Sequence, residues 1–132
     1  MSIQSIVAFE IGYDDKAREY ARYAALMDLA DIGGNVKGGA HIASIGGTWM
    51  AIVFGFAGLR DHGGQLRFRP RLPGDVARLR FPLTVRGQTL VVELGDGRAT
   101  YLLREGTGLT IQHEDEELVL EPGVPVSLDL PA

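Results

Sequence analysis

The chain has 132 residues, of which 45% are hydrophobic and 23% charged, a composition typical of a folded globular domain. Its formal net charge of −4 disfavours nucleic acid and anionic membrane surfaces as partners, because both attract clustered lysine and arginine. The absence of cysteine excludes disulfides, thiolate metal sites and cysteine nucleophiles, and it fits the reducing cytoplasm.

The first thirty residues predict a pair of helices. Apolar side chains within residues 2–11 suit a short helix that ends at Gly12, because glycine commonly terminates helices. Asp14 and Asp15 then favour the first turn of a second helix, whose apolar positions recur at helical spacing through Leu26. Together these segments predict a helical hairpin.

A glycine-rich loop over residues 31–39 separates this hairpin from a third predicted helix, residues 42–59. The third segment is apolar on nearly all sides, and its length invites a transmembrane interpretation. Its glycines and the lack of a basic flank disfavour a membrane span, so we expect a helix buried by other helices. Two preceding helices are too few to cover it, which predicts further helices outside this chain.

From Arg60 onward, apolar residues alternate with mostly polar ones, as they do in half-buried strands. Turn-forming residues punctuate this half, including those at residues 61–64. The predicted strands contain Leu66 and Phe68, residues 79–85, residues 90–94, Tyr101 and Leu103, Leu118 and Leu120, and residues 126–130. Their length and spacing predict a small antiparallel β-sandwich, so the predicted fold class is α+β.

His41 is the candidate binding residue, because it stands at the start of the third predicted helix. Backbone N–H groups and the helix dipole both favour an anion at that end. Ser44 and Thr48 follow at helical i+3 and i+7, so His41, Ser44 and Thr48 are predicted to line an anion pocket. The alternative interpretation is that His41 caps the helix or packs against its start.

The other polar residues indicate no catalytic or metal site. Glu10 and Asp28 lie in apolar helical segments, and we interpret them as carboxylates near helix ends that face polar neighbours. The acidic run at residues 114–117 predicts a solvated turn between strands. His62 and His113 lack partners at metal-ligand spacing, so we expect neither a metal ion nor a cofactor.

Several segments occur in an order that carries a family resemblance. They are residues 2–12, Lys16-Ala17 with Tyr20, Asp28-Leu29, Gly34-Asn35, the His41 segment, Gly58-Leu59-Arg60, residues 66–73 and Leu79-Arg80-Phe81. Together they resemble the carboxyl end of enzymes in glycoside hydrolase family 65, which contains maltose, trehalose and kojibiose phosphorylases and related hydrolases. The resemblance covers essentially the whole chain.

The resemblance implies a domain organisation. Family members have an N-terminal β-sandwich, an (α/α)6 barrel that carries catalysis, and a small C-terminal β-sheet domain packed on the barrel. Residues 1–59 would supply the last barrel helices, and residues 60–132 would form the C-terminal antiparallel β-sandwich domain. The apolar third helix would then lie in the inner ring of the barrel.

The resemblance also implies a role for His41. The family's phosphorylases have a Gly-Ile-His segment whose histidine contacts inorganic phosphate, the nucleophile that attacks the anomeric carbon with inversion. Here Gly39-Ala40-His41 matches, with Ala40 in the isoleucine place, and Ser44 and Thr48 lie in the matching small-residue segment. The family's general acid is a glutamate of the barrel, and no residue of this chain corresponds to it.

We therefore expect a C-terminal fragment or truncated relative of an inverting disaccharide phosphorylase, located in the cytoplasm and inactive alone. It would bind inorganic phosphate weakly, and an α-linked glucose disaccharide only in the complete enzyme. The alternatives are a non-catalytic binding or assembly module and a docking subunit of a split glycosidase. The uncovered third helix predicts a homodimer or docking to the missing barrel portion.

Overall fold

The computed structural model describes residues 1–34 and 36–131, so Asn35, in the predicted loop, and Ala132 lie outside the described residues. The chain forms two compact units, Met1–Phe56 and Ala57–Ala132. The first unit is helical and the second contains two β-sheets, which confirms the α+β fold class. The assignment of residues 1–59 and 60–132 to two family domains stays a prediction.

The described residues of the helical unit form three α-helices: α1 (Ser2–Glu10), α2 (Asp14–Leu29) and α3 (Ile42–Met50). Gly12 turns the chain between α1 and α2 with a φ of +78°, a conformation that glycine adopts readily. Asp14 and Asp15 lie in the first turn of α2, where their charge complements the helix dipole. A short 3-10 helix, Val36–Gly38, lies in the predicted loop before α3.

The third helix differs from its prediction over residues 42–59. The α-helical part ends at Met50, and a π-helical segment, Ala51–Phe56, continues it. Gly58 has a φ of +61°, a left-handed conformation that does not continue a right-handed helix, so Leu59 is not helical. Among the described residues, no helix combines the length and the hydropathy needed to span a bilayer.

Small residues let the three helices approach closely. The buried Ser5 hydroxyl of α1 donates to the Ala17 carbonyl of α2 at 2.7 Å. A Cβ atom placed on Gly47 of α3 would collide with the Ser2 side chain of α1, so any larger residue there would force Ser2 to shift. The Phe9 and Phe56 rings pack edge to face at 4.9 Å.

In the β unit, eight strands form two four-stranded sheets within the part of the chain that the structure describes. The first sheet has the order β1-β2-β6-β7 and contains β1 (Arg60–His62), β2 (Gln65–Phe68), β6 (Leu109–His113) and β7 (Glu116–Leu120). The second has the order β3-β4-β5-β8 and contains β3 (Arg78–Val85), β4 (Gln88–Gly95), β5 (Arg98–Glu105) and β8 (Val126–Asp129).

Two strands and one pairing differ from the sequence expectation. His62 lies in β1 rather than in a turn, and β6 was not predicted. β2 and β6 pair in parallel, with Phe68 opposite His113, whereas the other strand pairs are antiparallel. This parallel pair is possible because the chain forms three strands of the other sheet between β2 and β6.

Aromatic and aliphatic side chains from both sheets fill the sandwich core. The rings of Phe68 in one sheet and Tyr101 in the other lie 5.1 Å apart, and both side chains are fully buried. The Tyr101 hydroxyl contacts His113 Nδ1 at 2.8 Å. Burial raises the pKa of the Tyr101 hydroxyl, so Tyr101 stays protonated at neutral pH.

Candidate functional site

His41 lies at the N-terminal end of α3, where its carbonyl accepts hydrogen bonds from the backbone N–H groups of Ser44 and Ile45. Its side chain bonds to the end of α2, because the ring Nδ1 is hydrogen bonded to Asp28 Oδ1. The His41 backbone N–H also donates to Asp28 Oδ2, at 2.9 Å. One carboxylate therefore holds both the backbone and the ring of His41.

The pair is partly open to solvent. The side chain of His41 is 35% exposed and that of Asp28 is 18% exposed. The hydrogen bond from the His41 ring holds the pKa of the Asp28 carboxyl below its ordinary value of 3.8. Asp28 is therefore ionised at neutral pH and only accepts hydrogen bonds, so the proton of the shared bond belongs to Nδ1. The ring nitrogen that remains for a ligand is Nε2.

Asp28 is the site residue that sequence reasoning missed. Its interpretation as a helix-end carboxylate facing polar neighbours is correct, but its partner is the candidate ligand itself. A carboxylate near the C-terminal end of α2 opposes the helix dipole, and its bonds to His41 offset that cost. Asp31, one turn further on, also accepts a loop amide, from Val36 at 3.1 Å.

The hydroxyls of Ser44 and Thr48 are committed to the backbone. Ser44 Oγ donates to the Ala24 carbonyl of α2 at 3.1 Å, and Thr48 Oγ1 donates to the Ser44 carbonyl at 3.0 Å. Either hydroxyl would have to release its carbonyl before it could donate to an anion. The structure thus joins His41 to Asp28, whereas it directs the two hydroxyl protons elsewhere.

The remaining candidates hold structural positions. Glu10 ends α1 and is exposed, His62 is exposed in β1, and His113 is buried in the sandwich. Within the described parts of the chain, no group of three or more His, Asp or Glu side chains could hold a metal ion.

The acidic run is only partly a turn, because β7 begins at Glu116. Glu114 occupies the turn with a φ of +51°, and its carboxylate pairs with Arg71 at 2.9 Å. Arg69 Nη2 lies 3.5 Å from Asp115 Oδ1. These exposed pairs neutralise part of the negative charge at the turn.

Comparison with known proteins places both units in one family. Residues 1–50 match the central catalytic domain of glycosyl hydrolase family 65, and residues 59–120 match the C-terminal domain of the same family. An α,α-trehalose phosphorylase of Thermoanaerobacter brockii is 43% identical over 92% of this chain and 16% of its own length. An uncharacterized glycosyl hydrolase of Mycobacterium leprae is 43% identical over 95% of this chain and 16% of its own length.

A solved structure has the same fold. It is a putative kojibiose phosphorylase from the human microbiome, with a TM-score of 0.89 and 26% identity over 97% of this chain and 17% of that one. The chain thus spans about a sixth of the length of the relatives that it matches. It belongs to glycoside hydrolase family 65, with a first segment that matches part of the central catalytic domain and a second segment that matches the C-terminal domain.

Proposed function

We propose that this chain carries part of the phosphate subsite of an inverting disaccharide phosphorylase, with His41 as the phosphate ligand. The observation that carries the proposal is the partly exposed His41 ring, which Asp28 holds at the N-terminal end of α3. The proposal is supported by the match of Gly39-Ala40-His41 to the segment that carries the family's phosphate-binding histidine. Support also comes from the similarity to a trehalose phosphorylase and a putative kojibiose phosphorylase.

The chemistry of the pair suits an anion. When the ring is protonated, Nδ1–H stays on Asp28 and Nε2–H is available to donate to a phosphate oxygen. The N-terminal end of α3 adds a favourable dipole. Ser44 and Thr48 belong to the proposed subsite, and each would contribute after exchanging its carbonyl bond for one to phosphate.

The general acid is proposed to lie outside this chain. Inverting phosphorolysis needs a carboxylic acid that protonates the leaving oxygen while phosphate attacks the anomeric carbon. Such an acid must hold its proton near neutral pH, so its pKa has to be raised. The pKa of Asp28 is lowered, which makes Asp28 unsuitable for this role.

The chain alone is therefore expected to show no phosphorolysis or hydrolysis. Purified protein would be assayed with maltose, trehalose and kojibiose, with and without inorganic phosphate, for release of glucose or glucose 1-phosphate. The expected rate of sugar release equals the background rate measured in buffer without protein. Turnover that copurifies with the chain would refute the proposal, because the catalytic acid would then lie within these residues.

A second candidate function is that of a docking module, either a non-catalytic assembly unit or a subunit of a split glycosidase. It is favoured by an apolar stripe on α3: Ile42, Ile45 and Trp49 lie on one side of the helix and are 75%, 52% and 48% exposed. Exposed apolar surface of this kind commonly marks an interface. We propose that the stripe mediates a homodimer or docking to the missing barrel portion. A cytoplasmic location is part of this proposal and is supported by the cysteine-free sequence.

A further inference from the structure

The contact between Asp28 and His41 uses both oxygens of one carboxylate. Oδ2 accepts the His41 backbone N–H at 2.9 Å, and Oδ1 is hydrogen bonded to the ring Nδ1. The two residues are 13 positions apart, so the contact joins the end of α2 to the start of α3 across the loop. This arrangement fixes the ring relative to its own backbone as well as to α2.

We infer that Asp28 is a positioning residue, which sets the tautomer and orientation of His41 so that Nε2 is the ring atom presented to phosphate. This inference rests on the proposed function. Asp28 itself would not touch the ligand; it acts through the ring. Hydrogen bonds from ligand histidines to carboxylates commonly fix ring orientation in this way at metal sites.

The requirement for a carboxylate follows from counting donors. His41 offers Asp28 two N–H groups, one on the backbone and one on Nδ1, and a carboxylate accepts both. An asparagine has one oxygen and one NH₂ group, so it satisfies only one of the two donors. If its oxygen keeps the backbone N–H, its NH₂ group faces Nδ1, and the neutral ring must move its proton to Nε2.

Asp31, two residues beyond the end of α2, provides a matched control. Its Oδ1 also accepts a loop amide, from Val36 at 3.1 Å, so Asp31→Asn removes the same charge. This carboxylate accepts from the loop amide rather than from the ring of His41. A general effect of charge or loop stability should therefore be common to both variants, whereas an effect on the tautomer should be confined to Asp28→Asn.

The test is long-range ¹H–¹⁵N NMR of the imidazole nitrogens of the full chain, at a pH where the ring is neutral, together with titration by inorganic phosphate. The unsubstituted chain and Asp31→Asn are expected to show the Nδ1–H tautomer, and Asp28→Asn the Nε2–H tautomer. Phosphate binds the protonated ring, whose Nε2–H donates to it while Nδ1–H needs an acceptor, and the NH₂ group of asparagine is not one. Phosphate affinity at neutral pH should therefore fall about tenfold in Asp28→Asn, as for outer partners of ligand histidines, and change less than twofold in Asp31→Asn.

Each outcome distinguishes this inference from the proposed function. If the unsubstituted chain binds no phosphate but the tautomer still changes, the phosphate site is wrong and the positioning of the ring stands. An unchanged tautomer in folded Asp28→Asn overturns the inference, whether or not phosphate binds. If Asp28→Asn loses its helical circular dichroism, Asp28→Glu takes its place in the test, because it keeps a carboxylate. Asp28→Glu should retain the Nδ1–H tautomer, and the Nε2–H tautomer in this variant would contradict the inference.

Discussion

Gly58→Ala is expected to destabilise the β unit by about 3 kcal/mol or more, because backbone occupies the space that a side chain would need. Gly58 has a φ of +61°, and a Cβ atom there would lie 2.1 Å from the Arg69 carbonyl oxygen and 2.5 Å from its carbon. The Arg69 N–H also donates to the Gly58 carbonyl at 3.3 Å. The backbone at Gly58 and the backbone at Arg69 therefore cannot move apart without breaking this hydrogen bond. Urea denaturation followed by near-ultraviolet circular dichroism would measure the loss.

Gly87→Ala is the matched control, since Gly87 shares the left-handed backbone with a φ of +75° but has no described neighbouring atom within 4 Å. Gly87→Ala should lower the free energy of unfolding by about 1 kcal/mol, which is the cost of placing alanine in a left-handed conformation. The difference between the two variants measures the steric clash alone. Equal losses in the two variants would contradict the close approach of Gly58 to Arg69.

Trp49→Glu is expected to weaken self-association of the chain by at least about 100-fold, since buried tryptophans are frequent hot spots of interfaces. Trp49 is 48% exposed on the stripe that also contains Ile42 and Ile45. The substitution removes the edge-to-face contact of the Trp49 ring with Phe54 at 5.9 Å. Because about half of the Trp49 side chain is exposed, most of the helical core should stay in place. Sedimentation velocity at micromolar concentration would show a dimer for the unsubstituted chain and a monomer for the variant.

Val119→Glu serves as the comparison, because Val119 is a 68% exposed apolar residue of β7 in the other unit. It should leave the dimer intact. A monomeric unsubstituted chain, or equal dissociation by the two variants, would rule out the α3 stripe as the dimer interface.

The strands of the sandwich could be predicted where one face is buried. In β3, Phe81 and Leu83 are buried while the residues on either side are exposed or half-buried, and this alternation is visible in the sequence. β1 has only three residues, none of them apolar, so it carries no such pattern. β6 does alternate, with Leu109 and Ile111 buried, so its omission was an error of interpretation rather than a lack of signal.

The candidate site was only half predictable. His41 could be chosen because a helix start and a nearby glycine loop are local features of the sequence. The hydrogen bond between His41 and Asp28 could not be predicted, because a contact between residues 13 positions apart depends on how the loop brings α3 back to α2. The hydroxyls of Ser44 and Thr48 have the helical spacing that was predicted, but spacing does not reveal which acceptor each hydroxyl will choose.

The most direct test of the account is a titration of the full chain with inorganic phosphate, in which the ring signals of His41 are followed by NMR at constant ionic strength. His62, an exposed histidine of β1, serves as the internal control. The His41 signals should shift and saturate with a Kd on the order of 1 mM, about −4 kcal/mol, while those of His62 stay unchanged. His41 signals that do not move up to about 50 mM phosphate, or that drift in parallel with His62, would contradict a phosphate site at this residue.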